Sequence, residues 1–157
     1  MDVSSIYTDS ALEESGVWFD YRDGSEVLVA SLANSKFQRY SDHLRKPYER
    51  QRQIGAMDAD KETDLLCKAM ARHIVLDWKG FEENGKPLPY KEQAAFQLLV
   101  KSRVFRNDMV SFATENEAYQ IEQSESAEKN SGGTSEPTSK SDTKSSPSSS
   151  SVPGKQA

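Results

Sequence analysis

Residues 74–119 read IVLDWKGFEENGKPLPYKEQAAFQLLVKSRVFRNDMVSFATENEAY. Gly80, the Asn84-Gly85 pair, Pro87 and Pro89 punctuate this stretch and separate helical patterns on either side. Upstream, Leu65, Leu66, Ala69, Met70, His73, Ile74 and Asp77/Trp78 recur at spacings of three and four. That period predicts one amphipathic helix from Asp58 to Lys79, stopped by Gly80. Asp58 and Asp60 are candidate caps, and Asp60, Glu62 and Asp64 place negative charge where the helix dipole favours it. Downstream, Ala95, Phe96, Leu98 and Leu99 predict a helix from about Lys91 to Lys101. Phe105, Met109, Phe112 and Ala113 predict another over about Val104–Thr114, with Tyr119 and Ile121 closing the core beyond it.

Nearer the N-terminus, GVWFDYRDGSEVLVASL carries two apolar runs around Asp23-Gly24. Asp-Gly tolerates the positive φ of a tight turn, so the runs predict a β-hairpin, roughly 16–22 with 25–31. A lone hairpin is marginal in water and must rest its apolar face on helices. Asn34 or Ser35 then caps a helix whose Phe37, Tyr40, Leu44 and Tyr48 share one face. Pro47 kinks or stops that helix, and RKPYERQRQIG is a helix end, a loop or a second short helix closing near Gly55.

The fold class is therefore mainly α (α+β): about four helices with an N-terminal β-hairpin. Residues 1–15 read as a loose arm, 16–123 as the helical domain and 124–157 as a disordered Ser-rich tail. The tail ends SSPSSSSVPGKQA and holds one large aliphatic residue, Val152, too little apolar surface to offset ordering entropy. Its charges cancel, so the formal charge of -5 belongs to the preceding domain. An acidic domain is a poor general ligand for phosphate backbones. Cys67 is the single cysteine, which excludes an intramolecular disulfide. No apolar run long enough to span a membrane occurs, and the N-terminus lacks a basic-then-apolar signal pattern, so the chain reads as cytosolic.

Catalytic and metal groupings are weak. Asp58, Asp60, Glu62 and Asp64 alternate as in a calcium loop, but Thr63 and Ala69 stand where such a loop needs Gly and Glu. They read as a charged helix start. Cys67 and His73 lie nearly two helical turns apart, about 9 Å of rise, too far for a nucleophile–base pair. One Cys with His43 and His73 makes no zinc set. The pairs Glu13/Glu14 and Glu82/Glu83 fix no carboxylate separation for hydrolysis, and no phosphate-binding glycine loop is present. The reading is no enzyme, no cofactor and no metal.

The chemistry left is that of binding. Arg39, Arg45, Lys46, Arg50 and Arg52, interleaved with Tyr40 and Tyr48, form a basic stretch. It reads as a solvated helix face, as a surface for an acidic protein, or as a DNA/RNA contact in a small regulator using the Arg39–Arg52 face. Trp78 and Phe81 flank the Gly80 stop, either as a cap packed on the core or as exposed aromatic anchors. The candidate partner-binding residues are Arg39, Arg45, Tyr48, Arg50, Trp78 and Phe81.

The hairpin, the helix opening at Asn34–Phe37, the run HIVLDWKGFEENGKPLPY and the segment KEQAAFQLLVKSRVFRNDMVSFATENEAY follow one another in an order that resembles the tail assembly chaperones of long-tailed (siphovirus-like) bacteriophages. The likeness covers about residues 16–121 and is most specific over Val75–Tyr90. It implies a non-enzymatic protein that coats the tape-measure protein and keeps it soluble while tail-tube subunits polymerise. It implies location in the bacterial host cytoplasm and absence from the mature virion. Often such proteins also occur as a frameshifted longer form that recruits tail-tube protein; a Ser-rich ending looks like the shorter form. The resemblance transfers a role and no defined site.

Overall fold

In the hairpin, Asp23 and Gly24 both adopt positive φ, 56° and 78°, as the Asp-Gly turn requires. This computed structural model describes residues 1–121; the predicted disordered tail, 124–157, lies outside them. Strand β1 (Val17–Asp20) pairs antiparallel with β2 (Glu26–Val29), Val17 opposite Val29 and Asp20 opposite Glu26. The Ser25 hydroxyl closes the turn by donating to the Arg22 carbonyl at 2.6 Å. Residues 10–15, read as part of a loose arm, instead form a short helix, α1 (Ser10–Ser15). Its first N–H groups, those of Ala11 and Leu12, donate to the Asp9 carboxylate.

Helix α2 (Ser35–Arg45) begins at the predicted cap. The Asn34 side chain is buried and does two jobs. Its Oδ1 accepts from Phe37 N–H at 2.8 Å, and its Nδ2 donates to the carbonyls of Ser31 at 2.6 Å and His73 at 3.3 Å. One amide thus starts α2 and ties down the end of a helix 39 residues further on. Beyond the break at Pro47 comes a 3₁₀ turn (Lys46–Tyr48) and a short α3 (Glu49–Gln53). Then follow α4 (Ala59–His73), α5 (Glu92–Lys101) and α6 (Arg103–Ala113), the last capped by Ser102 Oγ accepting from Phe105 N–H. The four long helices expected are α2, α4, α5 and α6. Helix α4 packs against α2 on one side and α5 on the other, and α6 against α5 and β2.

One expectation is overturned. The helix predicted to run from Asp58 to Lys79 stops at His73, and Val75–Lys79 is a strand, β3. Strand β3 pairs antiparallel with β2, giving a sheet of order β1-β2-β3. The apolar spacing misled because Val75 and Trp78 are three apart, a helical interval. In a regular strand an odd interval points side chains to opposite faces. Here Leu28 faces Asp77 while Val29 faces Val75, so Leu76 is an extra residue, a β-bulge. The bulge returns both Val75 and Trp78 to the buried face, opposite Val29 and Val27. The β-branched pair Ile74-Val75 favours the extended state locally, and Ala30 N–H captures the Ile74 carbonyl at 2.8 Å. After Gly80, a second small hairpin joins β4 (Glu82–Glu83) and β5 (Lys86–Pro87) through the predicted Asn84-Gly85 turn.

The core lies between the inner face of the sheet and the helices. Val27, Val29, Met70, Ile74, Val75, Leu99 and Met109 have no exposed surface. Aromatic rings continue this core along the sheet. Phe81 stacks on Trp78 with centroids 4.5 Å apart and planes 4° from parallel, and Phe19 stacks on Phe112 at 4.5 Å. Tyr21 bridges the two pairs, 6.2 Å from Phe81 and 6.1 Å from Phe112. Each such pair contributes roughly 0.5–1.5 kcal/mol beyond its area burial. The buried hydroxyls find acceptors: Tyr119 donates to the Val29 carbonyl at 2.7 Å and Tyr90 to that of Val75 at 2.8 Å. Tyr119 closes the core as predicted, whereas Ile121 stays 45% exposed.

Backbone contacts divide the chain into a unit of residues 8–120, which holds all elements named above, and a second unit containing Met1–Tyr7 and Ile121. In the second unit Val3–Ile6 form a 3₁₀ turn capped by Asp2, and Ile121 N–H donates to the Tyr7 carbonyl at 3.0 Å.

Two outcomes follow from this packing. Trp78→Ala empties a buried site under the sheet and lowers the unfolding free energy by about 3–5 kcal/mol; urea denaturation followed by circular dichroism measures it, and a loss below about 1 kcal/mol contradicts the packing described. The second outcome concerns alkali. Burial, aided by Glu92 and Asp77, pushes Tyr90 up to about 12, and burial with Glu115 and Glu13 raises Tyr119 still more strongly. A phenol raised on folding stabilises the native state below its unfolded value near 10, and that contribution is lost as pH rises towards the folded value. Thermal midpoints therefore fall between about pH 10 and 12, and less steeply in Tyr119→Phe. An identical alkaline profile in that variant contradicts the assignment.

Candidate protein-binding interface

Four of the six predicted binding residues lie on one nearly continuous helical run. Arg45, Lys46 and Glu49 keep helical dihedrals, and Tyr48 absorbs the break with φ -110° and ψ 11°. Pro47 enters the first turn of the 3₁₀ segment, where its missing N–H costs no hydrogen bond. The chain then turns at Gly55, with φ 72°, to enter α4. From Lys46 to Asp58 no residue is buried. This corner projects from the core.

The run is also where the positive charge collects. Residues 36–53 hold six bases (Lys36, Arg39, Arg45, Lys46, Arg50, Arg52) and two acids (Asp42, Glu49), a net of +4. The remaining residues of 1–121 hold ten bases and eighteen acids, a net of -8. Two of the bases are already engaged: Arg52 Nε meets Glu62 at 3.1 Å and Lys36 Nζ meets Glu14 at 3.8 Å. Arg39, Arg45, Lys46 and Arg50 take part in no ion pair among the described residues. Arg39 in α2, Lys46 in the 3₁₀ turn and Arg50 in α3 are all exposed. Tyr48 is half-buried, with Lys61 Nζ 5.1 Å from its ring centroid. Tyr40 lies under the Arg72 guanidinium at 5.0 Å and meets His73 edge-on at 5.4 Å.

Trp78 and Phe81 belong elsewhere. Trp78 is only 5% exposed, its Nε1 donates to the Leu88 carbonyl at 2.7 Å, and Tyr90 meets it edge-on at 5.1 Å. Of its two readings, the packed one holds, and Trp78 is not an exposed anchor. Its place in a buried strand rather than at a helix end is the reason. Phe81 is half-buried between Trp78 and Phe105, and one edge borders a shallow depression with Tyr21, Arg22 and Glu82. There the Tyr21 hydroxyl donates to Asp108 Oδ2 at 2.7 Å and Arg22 Nη2 donates to the same oxygen at 3.1 Å. Burial, then the bond to Asp108, raises the Tyr21 phenol.

The other singled-out residues serve the fold. Asp60 and Glu62 occupy the first turn of α4, as a charged helix start should. Cys67 is fully buried, and burial pushes its thiol up against the opposing effect of Arg106. His73 sits in the last turn of α4; burial and then the nearby Arg72 and Lys36 hold its imidazole below the usual range. No hydrogen bond joins Cys67 to His73, and no cluster among the described residues has the makings of a metal site. Among the described residues no helix is long and apolar enough to cross a membrane.

Two surface residues escaped the sequence reading. Trp18, on the outer face of β1, is 38% exposed beneath the Lys79 ammonium at 4.2 Å. Ile54, just past α3, is 70% exposed. The signal for Ile54 was present: it has Arg50 and Gln51 at the positions three and four before it, so no helical apolar stripe includes it.

A family model described as YdaY prophage protein matches residues 32–130, a span that takes in α2 to α6 and strand β3. No curated protein and no solved structure matches the chain. With well over half of its length matched, the chain belongs to the YdaY prophage protein family, and so to the proteins of bacteriophage origin.

Proposed function

We propose that this prophage protein is a non-enzymatic tail assembly chaperone that holds the tape-measure protein soluble in the host cytoplasm and leaves before the virion is complete. The observation that carries the reading is the run of cations Arg39, Arg45, Lys46 and Arg50, without ion-pair partners among the described residues, on a domain that is otherwise acidic. Prophage membership supports the setting, and the sequence resemblance supports the choice of partner. Exposed charges are screened by salt and hold a partner reversibly, which suits a protein that must let go. Among the described residues most aromatic rings, Trp18 and Tyr7 aside, pack inward, which favours contact through the charges of the strip.

The same cations support a second reading, a small DNA/RNA-binding regulator. Asp42 and Glu49 within the strip and Glu62 beside it weaken that reading, because they oppose a phosphate backbone.

Co-expression with the tape-measure protein of the same prophage separates the two. The wild-type chain raises the soluble yield of that partner. The triple variant Arg39→Glu, Arg45→Glu, Arg50→Glu loses most of the gain, with affinity reduced by at least about tenfold. No gain from the wild type sinks the chaperone reading. A salt-sensitive gel shift of duplex DNA, abolished by the same triple variant, puts the regulator in its place.

A further inference from the structure

We infer that the projecting corner between Lys46 and Met57 recognises an acidic helical segment of the partner protein that presents an aliphatic side chain, with Ile54 as its anchor. The inference rests on the chaperone reading and specifies the chemistry of what is bound. Ile54 is the most exposed aliphatic residue of the 8–120 unit, at 70%. It is held in place all the same. Its N–H donates to the Arg50 carbonyl at 3.2 Å, Gly55 N–H to that of Arg52 at 3.2 Å, and Ala56 N–H to that of Gln51 at 2.8 Å. A bulky apolar side chain fixed on an ordered, projecting turn needs little further ordering when a partner covers it, which favours binding.

The surroundings define the occupant. The concavity between α3 and the start of α4 is lined by Glu49, Arg52, Gln53, Gly55, Met57 and Glu62, with Ile54 outside its walls. Met57 is half-buried and unbranched, a side chain that adapts to the shape of an incoming group. Arg52 is paired with Glu62, so the charges left at the corner are those of Arg45, Lys46 and Arg50 against the one acid Glu49. Lys46 and Arg50 stand four residues apart on either side of the break at Tyr48, both exposed, and offer two cations to carboxylates on a facing helix. A nucleic acid fits less well, because the aliphatic side chain of Ile54 offers bases no ring to stack on.

Short overlapping peptides covering the tape-measure protein, titrated against the full chain by fluorescence anisotropy, test this directly. The peptides that bind are net acidic and carry an aliphatic residue among the acids. Ile54→Ser weakens them by about tenfold or more, Ile54→Leu preserves binding, and Arg50→Glu weakens binding while flattening its salt dependence. Both Ile54 variants keep the wild-type melting temperature, because the residue is exposed. Neutral or basic binders, an Ile54→Ser variant with unchanged affinity, no binding peptide at all, or an oligonucleotide that binds more tightly than any peptide each overturn the inference. If Ile54→Ser still solubilises the tape-measure protein as the wild type does, the corner is not the anchor while the chaperone reading stands. If the wild type solubilises nothing, both fall together.

Discussion

The pairing of β3 with β2 is the constraint on which the rest of this fold depends. It joins residues 26–29 to 75–79 and so closes a loop that contains α2, α3 and α4. Closing a loop of that length is entropically costly but only slowly more so as it grows, and the buried face of the sheet offsets the cost. Helix α4 must end at His73 for β3 to begin, and the Asn34 side chain receives its last carbonyl. At the far end of β3, Gly80 adopts φ 77° against the hairpin turn, where an added Cβ would stand 3.3 Å from Ser25 Cα. Glycine is required there both for the dihedral and for the close approach.

That pairing also explains what the sequence made legible and what it hid. The Asp23-Gly24 hairpin, the Asn34 cap, the break at Pro47, and helices α5 and α6 each announce themselves through local chemistry, and each is found where that chemistry puts it. Residues 74–79 carry two signals at once. Their apolar spacing continues the helix, while Ile74-Val75 and the unsatisfied edge of β2 favour a strand. Only the partner decides between them, and β2 is some fifty residues away, beyond any window of periodicity. The bulge at Leu76 completes the disguise by giving a strand the interval of a helix. Gly80 was correctly read as a stop, but of the wrong kind of element.

The candidate interface was half legible for the same reason. Arg39, Arg45, Tyr48 and Arg50 follow helical order, and a helical run displays them together. Trp78 shows only its size and chemistry in the sequence, and these suit a core as well as an interface. Its strand assignment turns the ring inward, and Phe81 follows by stacking on it. Ile54 is the reverse case, an aliphatic residue that the fold leaves in water because α3 is too short to reach the core with any of its residues.

The result is a division of labour between rings and charges. The aromatic residues along the sheet pack on each other and on α6. The corner at residues 46–58 has no fully buried residue, and the backbone bonds of Ile54, Gly55 and Ala56 hold its turn in place. Covering such a pre-ordered turn leaves the scaffold undisturbed. Under the proposed function, cations at this corner contribute more to encounter and discrimination than to tightness. The net negative charge of the rest of the domain opposes close packing of neighbouring copies except where a cationic corner intervenes. Weak attraction at one corner and repulsion elsewhere would make attachment reversible, the physical property that the proposed chaperone role requires.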